Sequence, residues 1–302
     1  MGVNTKTIKR RIKSISNTKK ITKAMEMISA VKMRKAVANV LATRSYANLA
    51  WKMLQDIGQT TDINLHPLLQ TRPVKKSAII FITSNRGLAG GFSSKLLVET
   101  DKFIKTEKAK NNAAVEVILM GKRGRKIYKN FGHTVSAEFD KIDLTTKIEE
   151  VLPMTRMVVG DYEAGKYDQL FVAYTDYVSG IRQEPRIKQL LPFVNEAVFL
   201  PLSEGEAKRG RTELDSEFEF KFEPDPVAVL SILIPRLVEM QIYQAILESD
   251  ASEHSARMMA MRNASDAARD IIKELNYTFN KARQSAITQE IAEIVGGAAA
   301  LG

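Results

Sequence analysis

Apolar residues near the start of the chain fall in three groups: Ile8, Ile12, Ile15; then Ile21, Met25, Ile28; then Met33, Val37, Val40. Each group keeps a spacing of three or four, with a slip between groups, which predicts an amphipathic helix whose apolar stripe wanders around its surface. No glycine or proline lies between Gly2 and Gly58, so one helix of about 55 residues is predicted, roughly 80 Å long. At the other end Asp225 and Pro226 make a helix start, the aspartate as N-cap and the proline in the first turn, where its missing donor costs nothing. From there one 3-4 register runs through Leu230, Leu233, Leu237, Met240, Gln244, Leu247, Ala251, His254, Met258, Met261, Ser265, Ala268, Ile272, Leu275, Phe279, Ala282 and Ala286. Pro235 is expected to bend the first turns, because it cannot donate to the helical ladder.

Between these helices the pattern changes to short apolar runs alternating with helical stretches. Ser77 to Thr83, Val115 to Met120 and Gln169 to Tyr174 read as buried strands; helices are expected near Ser93 to Glu107, Lys122 to Asn130 and Thr145 to Asp161. Tyr177 to Leu200 reads as a hairpin-like arm, and the acidic Ser203 to Phe220 as a loop or insertion. The expected fold is α/β: a long antiparallel coiled coil of the N- and C-terminal helices with an inserted Rossmann-like α/β domain. The segments are 1–58 for the first helix, 59–224 for the inserted domain and 225–302 for the second helix. The predicted outline is a stalk with a head.

Charge sharpens this picture. The 302 residues carry a net charge of +10, and residues 1–58 hold 13 Lys or Arg against Glu26 and Asp56, while the remainder has 32 basic and 33 acidic side chains. All the excess positive charge therefore sits on the first helix, which implies an acidic partner for that element. Two partners fit such a helix, nucleic-acid phosphate or an acidic protein surface. Its length argues against a groove reader, since recognition helices are short. The absence of cysteine excludes disulfide frameworks, thiolate metal sites and cysteine nucleophiles. The start shows no apolar run of signal-peptide length, and its basic residues continue beyond the extent of a mitochondrial presequence. No stretch is expected to cross a bilayer, so the chain is read as soluble or peripheral.

Candidate chemistry is sparse. SNRGLAGGF, Ser84 to Phe92, follows a strand and precedes a helix, where an α/β fold can cradle phosphate. Its glycine spacing matches neither the dinucleotide fingerprint nor a P-loop, and a tight turn that needs glycine conformations is the simpler reading. GKRGRK, Gly121 to Lys126, contains the Gly-x-x-Gly of an RNA-clamping loop, but the surrounding strands do not follow that module and a solvated basic helix start is the favoured reading. The three histidines, His66, His133 and His254, lie far apart with no carboxylate at ligand spacing, and His254 on the apolar stripe reads as a packing residue. No cofactor, metal site or catalytic constellation is predicted.

Three segments carry a family resemblance. IKRRIKSISNTKKITKAMEMISAVKMRKA (Ile8 to Ala36), SNRGLAGG (Ser84 to Gly91), and ASEHSARMMAMRNASDAA with YTFNKARQSAITQEIAEIVGGAAAL (Ala251 to Ala268, Tyr277 to Leu301) resemble the gamma subunits of F-type ATP synthases, the central rotor stalk, and the likeness runs from end to end. The turn usually reads Ser-Asp-Arg-Gly-Leu-Cys-Gly-Gly in that family, whereas Asn85 and Ala89 stand here, and the stretch around Gly205 to Asp215 is longer than usual. The dithiol switch of chloroplast members cannot operate without cysteine.

The resemblance implies a non-catalytic stalk that couples c-ring rotation to ATP synthesis or hydrolysis at the beta subunits. Its implied partners are the alpha and beta subunits, the epsilon subunit and the c-ring, with no nucleic acid and no cofactor. The implied place is the cytoplasmic face of a bacterial plasma membrane, ahead of a mitochondrial inner membrane. It further implies beta-subunit contacts at Lys20, Lys23, Met25, Arg34, Lys35, Arg86, Gly87, Leu88 and Ala89, catch-loop contacts at Arg283, Gln284, Thr288 and Glu290, and a bearing-like tip at Ile291 to Leu301. The competing reading is a basic coiled-coil adaptor that binds nucleic acid.

Overall fold

The computed structural model describes residues 5–60, 67–128, 132–144, 147–192 and 225–301. The stretches read as an acidic loop, Ser203 to Phe220, and as an extended segment, Gly205 to Asp215, lie outside the described residues, as does the end of the hairpin arm from 193 onward. Helix α1 runs Thr5–Thr60. By packing, the chain divides into two units, Met1–Ser29 with Arg257–Gly302, and Ala30–Ala256.

In the second unit a five-stranded sheet is built from β1 Lys76–Ile82, β2 Ala114–Met120, β3 Thr134–Phe139, β4 Gln169–Tyr177 and β5 Gln183–Leu191, in the order β3-β2-β1-β4-β5. The first four strands pair parallel, and β5 returns antiparallel along β4 with Tyr174 opposite Arg186. Strand β3 is absent from the sequence expectation because it is an edge strand with mostly exposed positions, so it lacks the apolar run of its neighbours. The connections are α2 Phe92–Asn111, α3 Lys122–Tyr128 and α4 Leu152–Glu163. The last begins later than the sequence pattern suggests, after a single 3-10 turn at Ile148–Glu150.

Alternation along β1 divides the core. Ile79 and Phe81 face α2, with Leu96 and Ile104; Ala78, Ile80 and Ile82 face the larger cluster, which includes Val158 and Tyr162 of α4, Ala36 and Val40 of α1, and Leu237, Ile242 and Ile246 of the last helix. That helix, α5, runs unbroken from Pro226 to Leu301 through Pro235, and Asp225 caps it by accepting the Ala228 amide at 2.9 Å. By length and composition α5 contains a window apolar enough to cross a membrane, contrary to the sequence expectation, and 56% of that window is buried inside the protein. Burial of this degree marks a core helix, whose apolar residues serve the sheet.

The wandering stripe on α1 is corrected. Its fully buried positions, Ile8, Thr22, Ser29, Ala36 and Val40, fall on one register that runs on through the half-buried Ile12, Ile15, Lys19, Glu26, Met33 and Thr43, the 3-4 period of a coiled-coil seam. The central positions of this seam are small or polar, so the bulky Ile21 and Ile28, 60% and 58% exposed, displaced the apparent stripe outward. On α5 the expected register holds from Met258 to Ala282, but Ala286 is exposed. The two long helices touch through Ser265, whose hydroxyl donates to the Lys19 carbonyl at 3.5 Å in the first unit, and through the Thr43 hydroxyl and Gln244 Oε1 at 2.5 Å in the second.

Candidate partner-contact site

In parallel sheets with this order, ligands favour the crevice beyond the carboxyl ends of the strands, where the strand order reverses, here between β1 and β4. The turn Ser84–Gly91 leaves β1 at that edge. Its base is fixed by Thr83, whose amide donates to the Met120 carbonyl at 2.8 Å and whose buried hydroxyl accepts the Gly124 amide at 3.0 Å. Gly121 has φ +100°, and a side chain there would collide with the Thr83 carbonyl, so this crossing of the two loops requires glycine. Asn85 is used at both ends of its amide, accepting from Lys122 N at 3.2 Å and donating to the Lys141 carbonyl. The Arg123 guanidinium covers Gly87 so closely that a Cβ there would displace it.

The tip is presented outward. Leu88 adopts φ +64° and is 62% exposed; a bulky residue held in the left-handed region, its side chain facing water, is a costly arrangement that points to a role at the surface. Arg86 is exposed as well. Ala89 is buried, and its carbonyl accepts the Phe92 amide at 3.2 Å, so it holds the turn from beneath.

The same edge is met by the protein's own helices. The Ser255 hydroxyl of α5 donates to the Gly180 carbonyl in the β4–β5 turn at 2.7 Å, and Gln183 donates to Ser255 at 3.2 Å. His254, 2% exposed, lies 3.3 Å from the Asp143 carbonyl, the satisfied packing role that its stripe position suggests. In the basic run after Gly121, Arg125 pairs with Glu138 while Lys122, Arg123 and Arg125 are exposed. From α1, Lys32 pairs with Asp143, and Arg34 and Lys35, just beyond it, are exposed. The Lys32 hydrogen bond, with the nearby charges of Lys32, Arg86 and His254, holds the Asp143 carboxyl below its usual range against the opposing effect of burial. Arg86 therefore lies within electrostatic reach of the α1 cation cluster's anchor.

The first unit carries the remaining predicted residues. Lys20 and Lys23 are exposed, Lys23 pairing with Glu26 at 3.0 Å, and Met25 is half-buried. Arg283, Gln284, Thr288 and Glu290 are all exposed on α5, with the Thr288 hydroxyl turned back to the Gln284 carbonyl at 2.9 Å. Beyond Ala282 every described side chain to Ala298 is exposed, including Ile291, Ile294 and Val295 at 57%, 71% and 62%. Sequence reasoning missed a further set, Ile21, Met27 and Ile28, which α1 exposes at 58–60%. Burying each is worth about 1.5–3 kcal/mol, and a group of this size beside lysines has the character of a contact surface. Among the described residues no cluster of three or more His, Asp or Glu is placed to hold a metal ion. Each unit thus presents exposed cations and apolar side chains on its helices, and the second adds a turn with Leu88 in the left-handed region.

Comparison with known proteins gives one answer over the full length. The family model described as ATP synthase matches residues 4–301. An ATP synthase gamma chain of Dehalococcoides mccartyi is 42% identical over 301 residues, 99% of each chain, and those of Herpetosiphon aurantiacus and Chloroflexus aurantiacus are 41% and 39% identical over 97% of each chain. Among solved structures, a chain of the Euglena gracilis mitochondrial ATP synthase, in its OSCP/F1/c-ring assembly, superimposes with a TM-score of 0.65 at 18% identity, covering 98% of this chain and 94% of that one. A chain of the Tetrahymena thermophila mitochondrial ATP synthase central stalk and c-ring gives 0.59 at 22% identity, covering 81% and 99%.

Proposed function

Since this chain belongs to the ATP synthase gamma chain family, we propose that it works as the rotating central stalk and performs no chemistry itself. The observation that carries this reading is the exposure of residues that the family resemblance assigns to partner contacts: Lys20, Lys23, Arg34 and Lys35 on α1, Arg86 and Leu88 in the turn after β1, and Arg283, Gln284, Thr288 and Glu290 on α5. The partners are the alpha and beta subunits of the catalytic ring, the epsilon subunit and the membrane c-ring. Its place is the cytoplasmic face of a bacterial plasma membrane, in keeping with the bacterial relatives.

In this reading the ring surrounds the helices, and each beta subunit meets a different side of them at each angle. A stalk that binds the open and closed forms of a beta subunit unequally shifts their populations by that difference in affinity, and with them the affinity for ADP, phosphate and ATP. Exposed cations on α1 attract an acidic loop without adding much to the fold, because surface charge pairs contribute about 0–1 kcal/mol. The exposed apolar side chains Ile291, Ile294 and Val295 suit an apolar collar in which the tip turns. Nucleic-acid binding is not supported: the relatives are gamma chains along the whole length.

Affinity purification of the tagged chain from its own cells tests the assignment. The expected result is a complex holding alpha, beta and epsilon subunits and the c-ring, with the ultraviolet spectrum of protein. Recovery of the chain with nucleic acid and without those subunits would overturn it.

A further inference from the structure

The segment that follows β3 makes a set of connections that no contact role requires. Lys141 is almost wholly buried: its ammonium lies 2.7 Å from Asp250 Oδ1 and 2.9 Å from Glu253 Oε2, with the three side chains 1%, 1% and 6% exposed. Burial by itself pushes the lysine pKa down, but the two carboxylates outweigh it and the value is raised, so the charge stays. Two residues on, Asp143 pairs with Lys32 of α1, while its backbone carbonyl faces His254 of α5. Backwards along the same segment, the Lys141 carbonyl accepts from Asn85, the residue that also ties the turn to the start of α3. Arg86 lies close enough to Asp143 to act on its charge. Three residues thus connect the exposed turn after β1 to both long helices of the second unit.

We infer that Lys141–Asp143 is a bracket that sets the position of the Ser84–Gly91 turn relative to α1 and α5, so that load applied at the turn is taken up by the two helices. Lys141 and Asp143 are positioning residues: they act through Asn85 and Arg86. The chemistry suits the task. A buried cation held by two carboxylates resists displacement, because separating it strands charges in a low-dielectric interior, whereas apolar packing would slide at far smaller cost. The turn is also tied to α2, through Ser84 to the Ser93 hydroxyl at 2.9 Å and through the Gly91 carbonyl, which accepts the Lys95 amide, and to α3, through the Ser84 carbonyl, which accepts the Arg123 amide; Lys141–Asp143 links it to α1 and α5. This inference rests on the reading of the turn as a partner contact, and the test separates the two.

In the full-length free chain, hydrogen exchange of the Arg86–Gly91 amides is measured for wild type, Asp143→Asn, and the triple variant K141M/D250N/E253Q, which removes the buried charges together and avoids leaving any of them unpaired. The bracket predicts exchange at least threefold faster in Asp143→Asn and at least tenfold faster in the triple variant, with protection in β1 and α2 unchanged. Asp143 is partly exposed, so its variant carries the test should the triple variant fold poorly. Unchanged protection of the turn in a folded variant overturns the bracket. In the assembled synthase, protons pumped per ATP are then compared for Arg86→Ala, Asp143→Asn and their combination. A loss in both single variants with no further loss in the combination supports the bracket; a loss in Arg86→Ala alone overturns the bracket and leaves the turn contact standing; a loss in Asp143→Asn alone overturns both.

Discussion

Single side chains here separate into those that hold the chain together and those that the fold leaves idle. Lys23, Arg34 and Lys35 are exposed, so neutralising all three to glutamine is expected to shift the thermal midpoint of the free chain by little, about 0–1 kcal/mol for each exposed pair lost. In the assembled synthase the same variant is expected to pump several-fold fewer protons per ATP; equal loss of stability and coupling, by calorimetry and vesicle acidification, argues against a contact role. Lys188 illustrates the opposite case. Burial drives its pKa down, only partly opposed by Glu248 and with Arg186 adding to the fall, to about 8 against 10.5 for a free lysine. Between those values the unfolded chain binds more protons than the folded one, so stability rises with pH from about 8 to about 10.5. Lys188→Met removes this rise and is expected to be more stable than wild type at pH 7 by roughly 1 kcal/mol. Urea titrations at pH 7 and pH 10 check it; identical pH slopes in the two proteins contradict it.

At the scale of elements, the end of α5 offers the clearest division between core and contact. Its seam stops at Ala282, and the described residues beyond are exposed, so deleting Ile291 to Gly302 is expected to leave unfolding of the free chain nearly unchanged while weakening the assembled ring. Had these apolar residues been core, the deletion should cost several kcal/mol, and an early-melting truncated chain marks that outcome. How far the sequence reveals its elements follows from their burial. Strands β1, β2 and β4 are legible because both faces are covered and the apolar runs are continuous, and the α5 register is legible because bulky residues fill it. Strand β3 escapes notice because an edge needs few apolar side chains. The α1 seam is misread because Thr22 and Ser29 occupy it, while the side chains that look like core, Ile21 and Ile28, face outward. The proposed partner contacts rest on family likeness alone; nothing in their spacing distinguishes a contact lysine from a solvated one. Asp250 and Glu253, one turn apart on a buried helix, demand a cation, yet only the folded chain identifies it as Lys141, more than a hundred residues away.

For the whole molecule, the central claim is that this chain turns inside a catalytic ring and carries out no catalysis. The absence of native cysteine makes the direct measurement simple: Lys110→Cys, at an exposed position near the end of α2, gives one attachment point for a gold bead on the full chain, assembled with the alpha and beta subunits of its own synthase and fixed through the ring. On adding ATP the bead is expected to rotate in discrete steps in one direction, at a rate that follows ATP concentration, while the chain without the ring hydrolyses no ATP. Sustained hydrolysis by the ring with the bead stationary would contradict the account.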